Sequence, residues 1–169
     1  PKKLFIEFKK TKYQFSINKD FLSVISNCSK PRKKNQETWI NKVIKDTYIE
    51  LFNKGIAKSV ECYFEEKLLG GLYGIHIGGC FFGESMFSKI RNVSKLCLLH
   101  LISILKLNNF ILLDSQFYNQ HLLQFGAYEI LDKEYQAILK KGIDQKCKFP
   151  ESLDFQKSFS ILQSLIHKS

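Results

Sequence analysis

Apolar and polar positions alternate along "KYQFSI", residues 12–17, so that Tyr13, Phe15 and Ile17 share one side, the period of a half-buried strand. Asp20 precedes the short apolar run "FLSVISNC", which predicts a helix. The polar, proline-containing "SKPRKKNQE" that follows is a surface connection. From Thr38 on, "TWINKVIKDTYIELFNKG" repeats apolar residues at three- and four-residue steps: Ile40, Val43, Ile44, Tyr48, Leu51 and Phe52. That spacing predicts an amphipathic helix opened by Thr38 and stopped by Gly55.

"AKSVECYF" and "LLGGLYGIHI" read as strands joined at "EEK", a hairpin. The glycine pairs 70–71 and 78–79 are unusual in strand-like sequence and point to bulges or a close backbone approach. Ser94 is positioned to cap "KLCLLHLISILKL", a helix leucine-rich on nearly every side and so buried on most of them. "FILLD" is a short buried strand ending on Asp114, and "NQHLLQFG" and "DKEYQAILKKG" predict short helices. Phe155, Phe159, Leu162 and Ile166 form the stripe of a closing amphipathic helix. The order of elements is that of an α+β domain with a mixed β-sheet flanked by helices. A hairpin, then a helix, then another strand matches the acetyltransferase-type (GNAT) layout among others.

At 169 residues, with 44% hydrophobic and 14% aromatic content, the chain supports one folded domain with a core, or a domain plus a small appendage. No apolar run approaches the roughly 18 residues of a membrane helix. The five scattered cysteines make no Cys-x-x-Cys pair and the four histidines no metal-ligand spacing, which argues for a reducing compartment and against a zinc site. The net charge of +10 favours a polyanionic partner, with nucleic acid ahead of anionic membrane. The lysines cluster at Lys2, Lys3, Lys9, Lys10 and Lys12 and again in "KPRKK".

Phosphate-binding, dinucleotide, nucleophile-elbow and zinc-protease motifs are all missing. What stands out is a pair of polar sites in apolar settings. Glu84 lies in "FFGESMF", and Asp114 with Gln116 in "ILLDSQF". Two residues apart on a strand, Asp114 and Gln116 would share a face and address one substrate. The residues alone leave both a functional acid and an ordinary exposed turn open at Glu84, and both function and a solvated strand end open at Asp114.

"TWI", "GGLYGIHIGGCFFGESMFSK", "SKLCLLHL" and "LLDSQF…HLLQFGAYEI" resemble, in order and spacing, the signature blocks of leucyl/phenylalanyl-tRNA–protein transferases, over roughly residues 12–135. The resemblance implies a GNAT-like domain that holds the end of a charged tRNA where related enzymes hold acetyl-CoA. The implied activity moves leucine or phenylalanine, possibly methionine, from aminoacyl-tRNA to the N-terminal amine of proteins beginning with Lys or Arg. The product would be marked for N-degron proteolysis in the cytoplasm. An aminoacyl ester is already activated, so no cofactor or metal is expected.

By resemblance Asp114, Gln116 and Glu84 form the catalytic group. Asp114 would orient or deprotonate the incoming amine, Gln116 would hold the carbonyl region, and Glu84 would bind an ammonium beside the aminoacyl pocket. Leu72, Phe81, Leu98, Leu101 and Leu113 match the apolar pocket, and Trp39 would stack on the terminal adenosine. Lys2, Lys3, Lys9, Lys10 and Lys12 would face the acceptor stem of the RNA. The implied division is 1–34 as the basic remnant of an N-terminal region leading into 35–169, the aminoacyltransferase domain. The chain lacks an aromatic- and proline-containing block that the family carries before this point, so a longer N-terminus is expected. It also reads Lys89, Lys58 and "LDKEY" where the family has Arg, His and "PRRDY". Two rivals stay open: a GNAT-fold acyltransferase using another activated donor such as acyl-CoA, and a non-catalytic RNA-binding relative.

Overall fold

A computed structural model describes Leu4, Ile6 and residues 12–31, 38–116 and 120–166. Five strands form one sheet in the order β1-β2-β3-β4-β5: β1 (Gln14–Ile17), β2 (Ala57–Phe64), β3 (Lys67–Ile77), β4 (Cys80–Ser88) and β5 (Leu112–Asp114). The first four pair antiparallel, and β4 and β5 pair parallel. The helices are α1 (Phe21–Cys28), α2 (Lys42–Asn53), α3 (Val93–Leu107), α4 (Gln120–Leu123), α5 (Asp132–Ile143) and α6 (Phe155–Ile166). The mixed sheet flanked by helices is the α+β class expected from the sequence, and the β4–α3–β5 crossover supplies its one parallel pair.

Each face of the sheet carries its own apolar layer. Tyr73 and Ala57 on one side meet Phe21, Val24 and Ile25 of α1 and the half-buried side of α2. Val60, Cys62, Leu72 and Phe81 on the other side meet Cys97, Leu98, Leu101, Ile104 and Leu105 of α3. The all-round apolar character of α3 is explained by a third layer, in which Leu96 and Leu99 pack with Leu4 and Leu162. Each such buried aliphatic side chain contributes roughly 1.5–3 kcal/mol.

Helix starts differ in detail from the sequence reading. The second helix begins at Lys42, not at Thr38, because the Asn41 side chain accepts the Ile44 N–H at 3.0 Å and Trp39 stays outside the helix. Ser94 does not cap α3. Its own N–H is taken by Ser88 Oγ at 3.1 Å, while Ser88 Oγ donates to the Ile90 carbonyl at 2.6 Å. The last residue of β4 therefore anchors the start of the helix that follows.

"GGCFFGESMFSK" is not an exposed turn. Gly78 and Gly79 make the two-residue turn between β3 and β4, with Gly78 at φ 58, and the rest is strand. β4 is not regular. Tyr73 pairs with Ser85 and Gly74 with Gly83, so Glu84 is the extra residue of a bulge, opposed by nothing on β3. The bulge switches the side-chain phase, which places Phe81 and Met86, five residues apart, in the same layer.

Candidate active site at the parting of β4 and β5

Pairing between β4 and β5 covers only Cys80–Phe82 against Leu112–Asp114. Beyond that point β4 continues to Ser88 paired with β3 but no longer with β5. The bulged Glu84 thus lies two residues past the last paired position of β4, and Asp114 is the last paired residue of β5. Among the described residues, a Cβ built on Gly83 would meet the Asp114 carbonyl at 3.5 Å, an ordinary van der Waals contact.

Glu84, Asp114 and Gln116 converge at this parting. Gln116 Nε2 donates to Glu84 Oε1 at 3.2 Å, and the Gln116 backbone N–H donates to Asp114 Oδ1 at 2.7 Å. Convergence does not come from strand alternation, as the i, i+2 reading supposed. The strand ends at Asp114, and Gln116 adopts the left-handed region at φ 65, a strained choice for a side chain of its size. The Asp114 carboxylate stabilises that geometry by closing a small ring onto the Gln116 N–H.

Two tyrosines complete the group, and the sequence reading passed over both. Tyr135 of α5 donates its hydroxyl to Asp114 Oδ2 at 2.7 Å. Burial, then the bond and charge of Asp114, push its phenol up to about 12. Tyr48 of α2 lies edge-on to Tyr73, with ring centroids 5.1 Å apart. Burial, then its hydrogen bond to Glu84 and the charge of Glu84, hold the Tyr48 phenol well above the usual tyrosine range. In the sequence Tyr48 reads only as an apolar position of its helix. Tyr135 stands inside the predicted helix "DKEYQAILKKG" and the departure "LDKEY", with no role of its own. An acid in an apolar run needs donors, and the tyrosines were the residues to search for them.

Leu72, Phe81, Leu98 and Leu101 are buried together between the sheet and α3. Leu113 pairs with Phe81 across the ladder but is 37% exposed, and Trp39 is 53% exposed. Lys12 is exposed; Lys2, Lys3, Lys9 and Lys10 lie outside the described residues. Among the described residues no group of three or more His, Cys, Asp or Glu is placed to hold a metal ion. No helix among them is long and apolar enough to cross a membrane.

With both tyrosine hydroxyls given to carboxylates, this arrangement can bind a cation at Glu84 and offer the second N–H of the Gln116 amide to a polar group. A family model described as leucyl/phenylalanyl-tRNA protein transferase matches residues 1–140. The leucyl/phenylalanyl-tRNA–protein transferase of Prosthecochloris aestuarii is 47% identical over 137 residues, 81% of this chain and 71% of that protein. That of Chlorobium luteolum is 44% identical over the same shares. That of Phenylobacterium zucineum is 45% identical over 131 residues, 78% of this chain and 59% of the relative. A solved ribosomal-protein-alanine N-acetyltransferase from Brucella melitensis superposes with a TM-score of 0.47 at 10% identity, over 71% of this chain and 93% of that one, too distant a likeness to bear on function. With a matched region that contains Glu84, Asp114, Gln116 and both tyrosines, the chain belongs to the leucyl/phenylalanyl-tRNA protein transferase family.

Proposed function

We infer that the chain is an aminoacyltransferase that moves leucine or phenylalanine from aminoacyl-tRNA to the N-terminal amine of a protein. The supporting observation is the continuous chain of contacts from Glu84 through Gln116 to Asp114 at the parting of β4 and β5. In the reaction the acceptor amine attacks the ester carbonyl of the charged tRNA. A C–N bond forms, the C–O bond to the terminal ribose breaks, and the proton lost by the amine ends on the released ribose hydroxyl. The ester supplies the driving force, so the protein has only to align the partners and favour the tetrahedral oxyanion.

Glu84 binds an ammonium, either that of the donor residue or a cationic acceptor, and Tyr48 holds the carboxylate in place. The Gln116 amide holds the carbonyl region of the ester by hydrogen bonding. The apolar residues Leu72, Phe81, Leu98, Leu101 and Leu113 select an aliphatic or aromatic donor side chain, and Trp39 offers an exposed ring on which a terminal base can stack, worth roughly 1–3 kcal/mol. Acceptors beginning with Lys or Arg, N-degron marking and a cytoplasmic setting go with this reading. The lysines near the start of the chain contact the acceptor stem through its phosphates, which needs no sequence readout.

A panel of labelled charged tRNAs and short peptides separates this reading from its rivals. Leu- and Phe-tRNA should label peptides that begin with Lys or Arg, and Arg-tRNA should not. Labelling from an acyl-CoA instead, or binding of RNA with no transfer at all, would replace the assignment.

A further inference from the structure

Resting on the transfer reading above, we propose that Tyr135 is a positioning residue that acts through Asp114 to set the Gln116 amide. Asp114 is then a strut, not the group that takes the proton. Both of its oxygens are already engaged: Oδ1 by the Gln116 backbone N–H and Oδ2 by the Tyr135 hydroxyl, each at 2.7 Å. A carboxylate held from both sides is oriented with little freedom to swing toward an attacking amine. What it fixes is a backbone conformation, the left-handed φ of 65 at Gln116, and that conformation sends the Gln116 side chain onto Glu84.

The rest of α5 is built to hold Tyr135 at this place. Its C-terminal end is locked onto the β3–β4 turn, where Gly142 carbonyl accepts the Gly79 N–H at 2.7 Å. A Cβ on Gly142 would collide with Cys80 Sγ, and one on Gly78 would meet the Gly142 and Ile143 carbonyls at 2.5 Å, so helix and turn touch backbone to backbone. Tyr135 lies two turns, roughly 10 Å, before Gly142 on the same side of the helix. Docking at the turn therefore aims the phenol along β4 and β5 to the point where they part. Half-burial of the ring and the Asp114 bond keep the phenol protonated, pushed up to about 12, so it stays a donor throughout the working range.

Tyr135→Phe removes only the hydroxyl. The expected result is a fall in kcat of about 10-fold with the KM for charged tRNA changed less than about 2-fold and the Tm little altered. The double variant Tyr135→Phe/Asp114→Asn should be no slower than Asp114→Asn alone, because both act through one strut. Effects that multiply in the double variant, or Tyr135→Phe at the parent rate, overturn the proposal. A readout independent of transfer keeps the two inferences apart: the Gln116 backbone amide, followed by NMR, should exchange at least about 10-fold faster in Tyr135→Phe. Unchanged exchange there refutes the strut even if the protein transfers amino acids, and faster exchange in a protein that transfers nothing sustains the strut while removing the activity.

Discussion

Gln116 donates its side-chain amide to Glu84 Oε1 at 3.2 Å, joining two segments 32 residues apart in sequence. Neither partner sits in regular structure: Glu84 is the bulged residue of β4 and Gln116 lies beyond the end of β5 with a positive φ. Irregular backbone at both partners, with polar groups meeting where two strands separate, is the mark of a site whose geometry is held by its surroundings.

Removing the carboxylate of Glu84 should affect donor handling first. Glu84→Ala is expected to lower kcat/KM for charged tRNA by about 100-fold, the range for a charged group lost from a transition-state environment. Its Tm should stay close to the parent value because the side chain is only half buried. Steady-state kinetics with Phe-tRNA and a Lys-led peptide check this, and a loss of Tm without a kinetic effect would assign Glu84 to stability alone.

Tyr48→Phe takes away the hydroxyl that meets Glu84 and leaves the ring against Tyr73. A drop of roughly 10-fold in transfer is expected, with unfolding within about 1 kcal/mol of the parent, the scale of one hydrogen bond. A parent-like rate would separate Tyr48 from the chemistry.

Two buried groups give stability–pH slopes of opposite sign. Burial lowers His100 from 6.5 to about 4, with Ser158 Oγ 2.9 Å from its Nδ1 and Phe15 stacked at 4.9 Å. The folded chain then binds fewer protons than the unfolded chain between those values. This contribution is full above about 6.5 and is lost as pH falls toward 4, by up to roughly 3 kcal/mol. Burial raises the Glu61 carboxyl above 4.5, against the lowering effect of its bonds from Ser59 and Asp20. The folded chain binds more protons there, so stability declines as pH rises from 4.5 through the folded value. In urea unfolding at pH 7 and pH 5, His100→Phe should lose less than the parent on acidification and Glu61→Gln more. Parallel slopes in all three proteins would refute both assignments.

Gly74 and Gly83 face each other across the β3–β4 ladder but differ in the room they have. A Cβ on Gly74 would run into the Phe82 carbonyl and the Phe81 ring, whereas one on Gly83 meets, among the described residues, only the Asp114 carbonyl at 3.5 Å. Gly74→Ala should destabilise by about 1–3 kcal/mol, as overpacking does, and Gly83→Ala by less than about 1 kcal/mol. Chemical denaturation of the two variants decides it.

The elements with a clear period were legible in the sequence: the β2–β3 hairpin, the apolar α3 and, at Phe159 and Leu162, the stripe of α6. Their side-chain patterns are local and agree with the packing. Helix starts were less legible because several small polar residues compete for each cap. Thr38 and Asn41 both precede the same apolar repeat, and only packing shows which oxygen meets a free N–H. "FFGESMFS" withheld its bulge, although Phe81 and Met86, an odd number of positions apart, cannot share a face of an uninterrupted strand. The sequence singled out Glu84, Asp114 and Gln116, but not how they meet. The positive φ of Gln116 and the arrival of Tyr135 from a later helix are tertiary facts that no local pattern records.

Single-turnover transfer from saturating Phe-tRNA to a Lys-led peptide, measured for the parent, Asp114→Ala and Gln116→Ala, bears hardest on placing the reaction where β4 and β5 separate. Both variants should be slower by about 100-fold or more while still binding the charged tRNA. Parent-like rates in both would mean that the chemistry happens elsewhere on the protein.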